Sequence, residues 1–400
     1  MKVLVIFGTR PEAIKMAPVV RKLVGHSQSS DLRCVTCVTG QHREMLDQVL
    51  CLFNITPDID LRLMTKNQTL ASLSSRAMTR ITSVLRHERP DIVLVQGDTT
   101  TAMVAAWAAF YEKITVGHVE AGLRTADRYS PFPEEANRRV ITALATLHFA
   151  PTDSAVRNLQ REGVAEGIFL TGNTVIDALF WVAGLAPSPA TVSLLKSVGL
   201  CGNDQPSQRG TKGILVTAHR RENFGKPLED ICRALLTLAE RYPEVRIIFP
   251  VHMNPNVQEP VRRLLSGCER IHLIEPLMYE SFVHVMSRVY LVITDSGGVQ
   301  EEAPSLGKPV LVVRSDTERP EAVEAGCVKL VGTDTQRIVR EAETLLRDDA
   351  VYKQMSRCVS PYGDGHAAER IVSAITSPDP VLSNQLWQCP TQRLATGVAR

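Results

Sequence analysis

Residues 3–12 read Val3-Leu4-Val5-Ile6-Phe7-Gly8-Thr9-Arg10-Pro11-Glu12, an apolar run, a glycine turn and a helix-start signal in immediate succession. The run suits a strand buried on both faces. Thr9 and Glu12 have the spacing of a capping box, and Pro11 suits a first helical position. Strand, turn and helix open a βαβ unit, and the same alternation continues to about position 346. A first set of candidate strands covers Val3 to Phe7, Arg33 to Val38, Ile92 to Val95, Thr115 to His118, His148 to Ala150 and Ile168 to Leu170. A second covers Ile214 to Thr217, Arg246 to Phe249, His272 to Ile274, Leu291 to Thr294, Val310 to Val313 and Val328 to Val331. Helical stretches lie between nearly all of them, so the expected class is α/β, with two Rossmann-like, doubly wound parallel sheets.

The punctuation sets the expected domains. Pro187, Ser188 and Pro189 follow one helix, and 199–210 is polar and rich in Gly, Pro and Ser. The reading is a first domain over 1–172, connecting helices and linker over 173–210, and a second domain over 211–363. A helix over 364–376 returns to the first domain, and 377–400 is expected to be a disordered tail. Two such domains in tandem predict an interdomain cleft lined by the carboxyl ends of both sheets.

Composition narrows the class of function. The 400 residues suit two or three domains at roughly 150 residues each. Hydrophobic residues make up 44% and charged residues 22%, which excludes disordered, collagen-like and coiled-coil classes. A formal charge of +2 is too balanced for a protein that binds nucleic acid by neutralising phosphates. The apolar run after Lys2 is too short for a secretory signal, and no stretch approaches the ~20 apolar residues of a membrane span, so a cytoplasmic address with no membrane partner is expected. Nine scattered cysteines are expected to be free thiols. Cys34 and Cys37 form a C-x-x-C inside a β-branched run, where residues three apart face opposite sides, and no second C-x-x-C exists to complete a metal site.

Several turns carry candidate chemistry. Arg10 and Lys15 stand beside a helix N-terminus, where they are either solvated cations on a capped helix or part of a phosphate site. Neither G-x-G-x-x-G nor G-x-x-x-x-G-K-[ST] follows any strand, which argues against a dinucleotide-dependent dehydrogenase and a P-loop nucleotidase. Thr294-Asp295-Ser296-Gly297-Gly298 is a second glycine turn opening a helix that carries Glu301 and Glu302. It suits a diphosphate at the helix end, with a carboxylate for ribose hydroxyls or simply for solvent. Asp98, Glu120 and the pair Glu134-Glu135 follow strands of the first domain; they either converge for proton transfer or act locally, Asp98 as an N-cap and Glu134 as a first-turn acid. His219-Arg220-Arg221 concentrates cations after the first strand of the second domain, and His252 is placed similarly.

Taken together, these segments resemble the non-hydrolysing UDP-N-acetylglucosamine 2-epimerases of bacteria. The matching stretches are FGTRPEAIKMAP at Phe7 to Pro18, TGQHREMLDQVL at Thr39 to Leu50, GDTTTAM at Gly97 to Met103, VGHVEAGLRT at Val116 to Thr125 and SPFPEEANRR at Ser130 to Arg139. They continue with TGNTVIDAL at Thr171 to Leu179, TAHRRENFG at Thr217 to Gly225, PVHMNPNV at Pro250 to Val257 and TDSGGVQEEAPSLGKPV at Thr294 to Val310. The resemblance runs in register from Met1 to about Ile375.

It implies a GT-B type fold and reversible conversion of UDP-N-acetylglucosamine to UDP-N-acetylmannosamine, supplying precursors for surface polysaccharide. It also implies a homodimer, with no nicotinamide cofactor and no required metal. By resemblance, Asp98, Glu120 and Glu134 do the acid/base and cation-stabilising work, and His219 serves the leaving phosphate. Arg10, Lys15, Ser296, Gly297 and Gly298 hold the diphosphate, Glu302 the ribose, Phe282 packs near uracil, and Arg138 joins the substrate-binding set. Gln41, Glu44, Gln68, Arg220 and His252 match the segments where some members bind a second UDP-N-acetylglucosamine as an allosteric activator.

Departures are Gln96, where a histidine is common before Gly97-Asp98, and Arg314-Ser315-Asp316-Thr317-Glu318 in place of Arg-Asp-Thr-Thr-Glu. The competing readings are a hydrolysing epimerase, a GT-B glycosyltransferase and a non-catalytic nucleotide-sugar sensor.

Overall fold

The computed structural model describes all residues except 28–30, 41–42, 66–67, 126, 201–209 and 378–400. Apart from Ser377, the expected tail therefore lies outside the described residues. The chain forms two compact units, Met1–Ala178 with the residues from Tyr362 on, and Leu179–Pro361. The division falls inside the helix Thr174–Ala183, not ahead of it at 172.

Among the described residues, the first unit holds a seven-stranded sheet of β1 (Lys2–Phe7), β2 (Arg33–Val38), β3 (Ile59–Asp60), β4 (Ile92–Gln96), β5 (Thr115–Val119), β6 (Leu147–Ala150) and β7 (Ile168–Leu170). Its order is β3-β2-β1-β4-β5-β6-β7, parallel throughout. The second unit holds β8 (Lys212–Thr217), β9 (Val245–Pro250), β10 (Ile271–Ile274), β11 (Leu291–Thr294), β12 (Val310–Val312) and β13 (Val328–Leu330), in the order β10-β9-β8-β11-β12-β13, again parallel. Both are Rossmann-like, doubly wound sheets.

Burial explains the strand sequences. Val3 to Phe7 are all fully buried, because helices cover both faces of a parallel sheet and leave no solvent side for alternation. The covering helices bury one stripe each. In Leu70–Glu88, Leu73, Ala77, Ile81 and Leu85 recur every fourth residue and face the core. The helix Ala367–Thr376 belongs to the first unit, where Asp177 accepts the N–H groups of Ala367 at 3.1 Å and Ala368 at 2.8 Å.

Strand order reverses between β1 and β4 in the first unit and between β8 and β11 in the second. The loops leaving these four strands contain Gly8-Thr9-Arg10, Gly97-Asp98, Ala218-His219-Arg220 and Asp295-Ser296-Gly297. Ligands of open parallel sheets bind at such reversals, outside the carboxyl ends of the strands.

The expectation of free thiols requires correction at one pair. Cys327 and Cys358 form a disulfide with a Cα–Cα distance of 5.3 Å. They are 31 residues apart, and proximity of that kind is created by the fold and has no spacing signature. Cys34, Cys37, Cys51, Cys232 and Cys268 are free. Burial pushes the thiols of Cys34 and Cys37 up to about 12, which keeps them protonated and inert.

Candidate functional site

In the first unit, the loops after β1, β4 and β5 meet around carboxylates. A Cβ on Gly8 would stand 2.1 Å from Thr39 Oγ1, so a larger residue there would force the buried Thr39 side chain to move. The capping box forms through Glu12, whose Oε2 accepts the N–H of Gly8 at 3.0 Å and of Thr9 at 2.7 Å. Its Oε1 accepts the Thr99 hydroxyl at 2.6 Å, tying the loop after β1 to the one after β4. Burial raises the Glu12 pKa, and these hydrogen bonds oppose the rise.

Thr99, not Asp98, caps the helix Thr100–Tyr111: its side chain accepts from the Ala102 N–H. The capping reading of Asp98 is thereby corrected. The Asp98 carboxylate instead receives Arg138, with Nε at 2.9 Å and Nη2 at 2.7 Å from Oδ2, while Asn137 Nδ2 donates to the Asp98 carbonyl at 2.8 Å. Arg138 Nη1 also donates to Glu135 Oε2 at 3.2 Å. Of the acidic pair, Glu135 is wholly buried and also accepts from Arg139 and the Thr125 N–H. Glu134 is half-buried, and among the described residues its buried Oε2 has no hydrogen-bond partner.

Glu120 sits in the left-handed backbone region at φ 67°, a conformation that strains a non-glycine residue and collects at functional sites. Its carboxylate accepts from Lys15 Nζ at 2.5 Å, from Asn173 Nδ2 at 3.0 Å and from Gln96 Nε2. Gly97, at φ 69°, would place a Cβ 3.5 Å from Glu120 Oε2, so the Asp98 and Glu120 loops do converge. His118 Nε2 donates to the Gly97 carbonyl at 2.8 Å, and burial drives this histidine down to about 3. Arg10 opens the helix Arg10–Ser27 that also carries Lys15.

The second unit gathers basic and glycine residues. Asp295, wholly buried, accepts the N–H groups of His219 and Arg220, each at 2.8 Å, and Asn223 Nδ2 at 3.0 Å. His219 and His252 stack with ring centroids 5.5 Å apart. Desolvation lowers the His219 pKa, Asp295 opposes the shift, and His252 and Arg220 add to it. Ser296 occupies the N-cap of the helix Gly297–Ser305 without using its side chain as a cap. A Cβ on Gly297 would lie 3.6 Å from Arg220 Nη2, and one on Gly298 3.9 Å from Glu302 Oε1. That helix end therefore joins the backbone N–H groups of its first turn, a guanidinium and a carboxylate one turn on, an arrangement suited to a diphosphate next to a diol. Phe282 is half-buried on the helix Tyr279–Arg288.

The loop whose sequence departs from the family pattern is firmly tied: Arg314 Nε donates to Glu222 at 2.5 Å, Thr317 Oγ1 to Gln300 at 2.6 Å, and Arg319 pairs with Glu301. Gln68 accepts from Arg76 and the Thr65 N–H in the first unit, whereas Arg220 and His252 lie in the second. Gln41 lies outside the described residues, and Glu44 is described only as a backbone position in the helix Arg43–Leu52.

Sequence reasoning missed Glu12, Asn173 and Asp295 as site residues, and it named Glu135 only as half of an acidic pair. A signal existed for two of them: Glu12 in the capping box and Asp295 directly before Ser296. Among the described residues, no group of three or more His, Cys, Asp and Glu side chains is placed to hold a metal ion, and no helix is long and apolar enough to cross a membrane.

Comparison with known proteins gives a consistent picture. A family model described as UDP-N-acetylglucosamine 2-epimerase matches residues 26–376. The UDP-N-acetylglucosamine 2-epimerase of Escherichia coli is 54% identical over 376 residues, covering 94% of this chain and 98% of its own. That of Campylobacter jejuni is 52% identical over 375 residues, covering 94% and 97%. Among solved structures, the UDP-GlcNAc 2-epimerase of Neisseria meningitidis bound to UDP-GlcNAc is similar with a TM-score of 0.80 and 48% identity, over 94% of this chain and 99% of that one.

Proposed function

The chain belongs to the UDP-N-acetylglucosamine 2-epimerase family, and from that membership we propose that it inverts carbon 2 of UDP-N-acetylglucosamine by eliminating and re-adding UDP, without releasing free sugar. The observation that carries this reading is the convergence of Asp98, clasped by Arg138, and Glu120, held by Lys15, Gln96 and Asn173, at the strand-order reversal of the first sheet.

The chemistry requires such a set. Carbon 2 has no adjacent carbonyl, so a carboxylate cannot remove its proton directly. Departure of UDP from carbon 1 gives that ring position oxocarbenium character and makes the carbon 2 proton removable, forming 2-acetamidoglucal. UDP then adds back to carbon 1 while a proton arrives on the opposite face of carbon 2. Acid/base groups must therefore reach both faces, and a strong anion site must stabilise UDP as it leaves. Asp98, Glu120 and Glu134 take the proton-transfer and cation-stabilising roles, with Arg138 fixing Asp98. Arg10, Lys15, Ser296, Gly297 and Gly298 take the diphosphate, His219 the leaving phosphate, Glu302 the ribose and Phe282 the uracil. The Gln41, Glu44, Gln68, Arg220 and His252 set binds an activating second UDP-N-acetylglucosamine.

The active form is a homodimer. The helix Thr100–Tyr111 supports this by exposing Trp107, Phe110 and Tyr111, the last at 62% of its surface, an aromatic face of the kind that subunit contacts cover.

Incubation with UDP-N-acetylglucosamine and chromatography of the products test the reading. It expects a mixture of the two UDP-sugars with no acceptor present. Free N-acetylmannosamine and UDP as the main products would overturn it in favour of hydrolysis.

A further inference from the structure

Asp295 places its two carboxylate oxygens in different settings. Oδ2 accepts three donors: the backbone N–H groups of His219 and Arg220 and the Asn223 side chain. Oδ1, equally buried, has no hydrogen bond among the described residues. His219 Nδ1 stands 3.4 Å from it.

A buried carboxylate oxygen without a donor is costly. The nearby ring nitrogen can remove that cost. At 3.4 Å the contact is long for a formed hydrogen bond, and unliganded catalytic pairs are often long until substrate tightens them. The ring is already constrained on two sides: its own backbone N–H is fixed to Oδ2, and one face stacks on His252 with an interplanar angle of 16°.

We infer that Asp295 is a positioning residue for His219, accepting the imidazole Nδ1–H on Oδ1 and leaving Nε2, directed away from the buried carboxylate, as the nitrogen that meets the leaving phosphate. The inference rests on the epimerase reading for what His219 meets, but not for the orientation itself. A carboxylate behind an imidazole selects the tautomer and stabilises the protonated ring. The charged groups that face His219 are Asp295, His252 and Arg220. Asp295 alone among them favours the imidazolium, and it opposes the lowering that burial, His252 and Arg220 produce.

Nitrogen-15 NMR of histidine-labelled full-length protein tests the orientation without turnover, with the His219 signals identified by their loss in His219→Gln. The wild type is expected to show neutral His219 protonated at Nδ1. In Asp295→Asn the amide takes over the backbone contacts, and His219 is expected to become protonated at Nε2 and to titrate at lower pH. Protonation at Nε2 in the wild type overturns the inference even if the variant fails to fold, as does an unchanged titration in a folded variant.

Kinetics give the second readout. Asp295→Asn should lower kcat by roughly 10–10³-fold with little change in KM, and shift the alkaline limb of the kcat profile to lower pH. The loss should not add to that of His219→Gln; full additivity would show a structural role only. Absence of epimerisation in the wild type would count against the proposed reaction while the tautomer still decides the inference.

Discussion

Arg138 holds a single oxygen of Asp98 with two nitrogens, Nε at 2.9 Å and Nη2 at 2.7 Å. The same guanidinium reaches Glu135, which is wholly buried, so the position of Asp98 is set from inside the first unit and not by solvent. Asp98→Asn keeps the shape and removes the proton-accepting charge. We expect kcat to fall about 10²–10⁴-fold. The Kd for UDP, measured by calorimetry, should stay within about threefold of wild type, because uniform ground-state binding is not what is lost. Undiminished turnover would remove Asp98 from the chemistry.

Glu12 makes a structural counterpart. Its carboxylate holds the N–H groups of Gly8 and Thr9 and the hydroxyl of Thr99. Glu12→Ala leaves these donors unpaired in a buried place and should cost about 1–3 kcal/mol in denaturant-induced unfolding. A variant as stable as wild type would mean that water or a shifted backbone replaces the carboxylate.

Much of this was legible in the sequence, for physical reasons. Strands buried on both faces must be continuous apolar runs, so β2, β7 and β11 fall on the expected residues and most other strand ends differ by one or two positions. β3, with only Ile59 and Asp60, carries no such run and was missed. The Asp98 and Glu120 loops were expected to be neighbours because β4 and β5 are consecutive, and they are. What the sequence hid is pairing across the fold. Asn173 reaches Glu120 from 53 positions away and Asp295 reaches His219 from 76, and neither has a local pattern. Gln96, a departure from the family's usual histidine, proves to be a direct donor to Glu120.

His118 gives a pH dependence of stability. Burial holds it neutral with its pKa at about 3, whereas an exposed histidine takes a proton near 6.5. Below 6.5 the unfolded chain binds this proton and the folded chain does not. The stabilisation is therefore complete above pH 6.5 and is lost progressively as pH falls toward 3. His148, lowered to about 4, acts in the same direction. Tm measured from pH 7 to 4.5 should fall less steeply in His118→Gln than in wild type; equal slopes would contradict the assignment.

The aromatic face of Thr100–Tyr111 predicts an association behaviour. Trp107 and Phe110 are 38% and 53% exposed in the isolated chain. If this face joins two subunits, Trp107→Glu with Phe110→Glu should convert a dimer to a monomer in sedimentation velocity. A wild-type monomer, or a double variant that remains dimeric, would place the contact elsewhere or remove it.

The central claim is that the carbon 2 proton leaves and is replaced within a captive elimination intermediate. Turnover of UDP-N-acetylglucosamine in deuterium oxide, followed by mass spectrometry and proton NMR of the recovered UDP-sugars, tests this directly. The expected result is deuterium at carbon 2 of the UDP-N-acetylmannosamine formed, with the nucleotide still attached. Inversion without deuterium at that carbon would contradict the account.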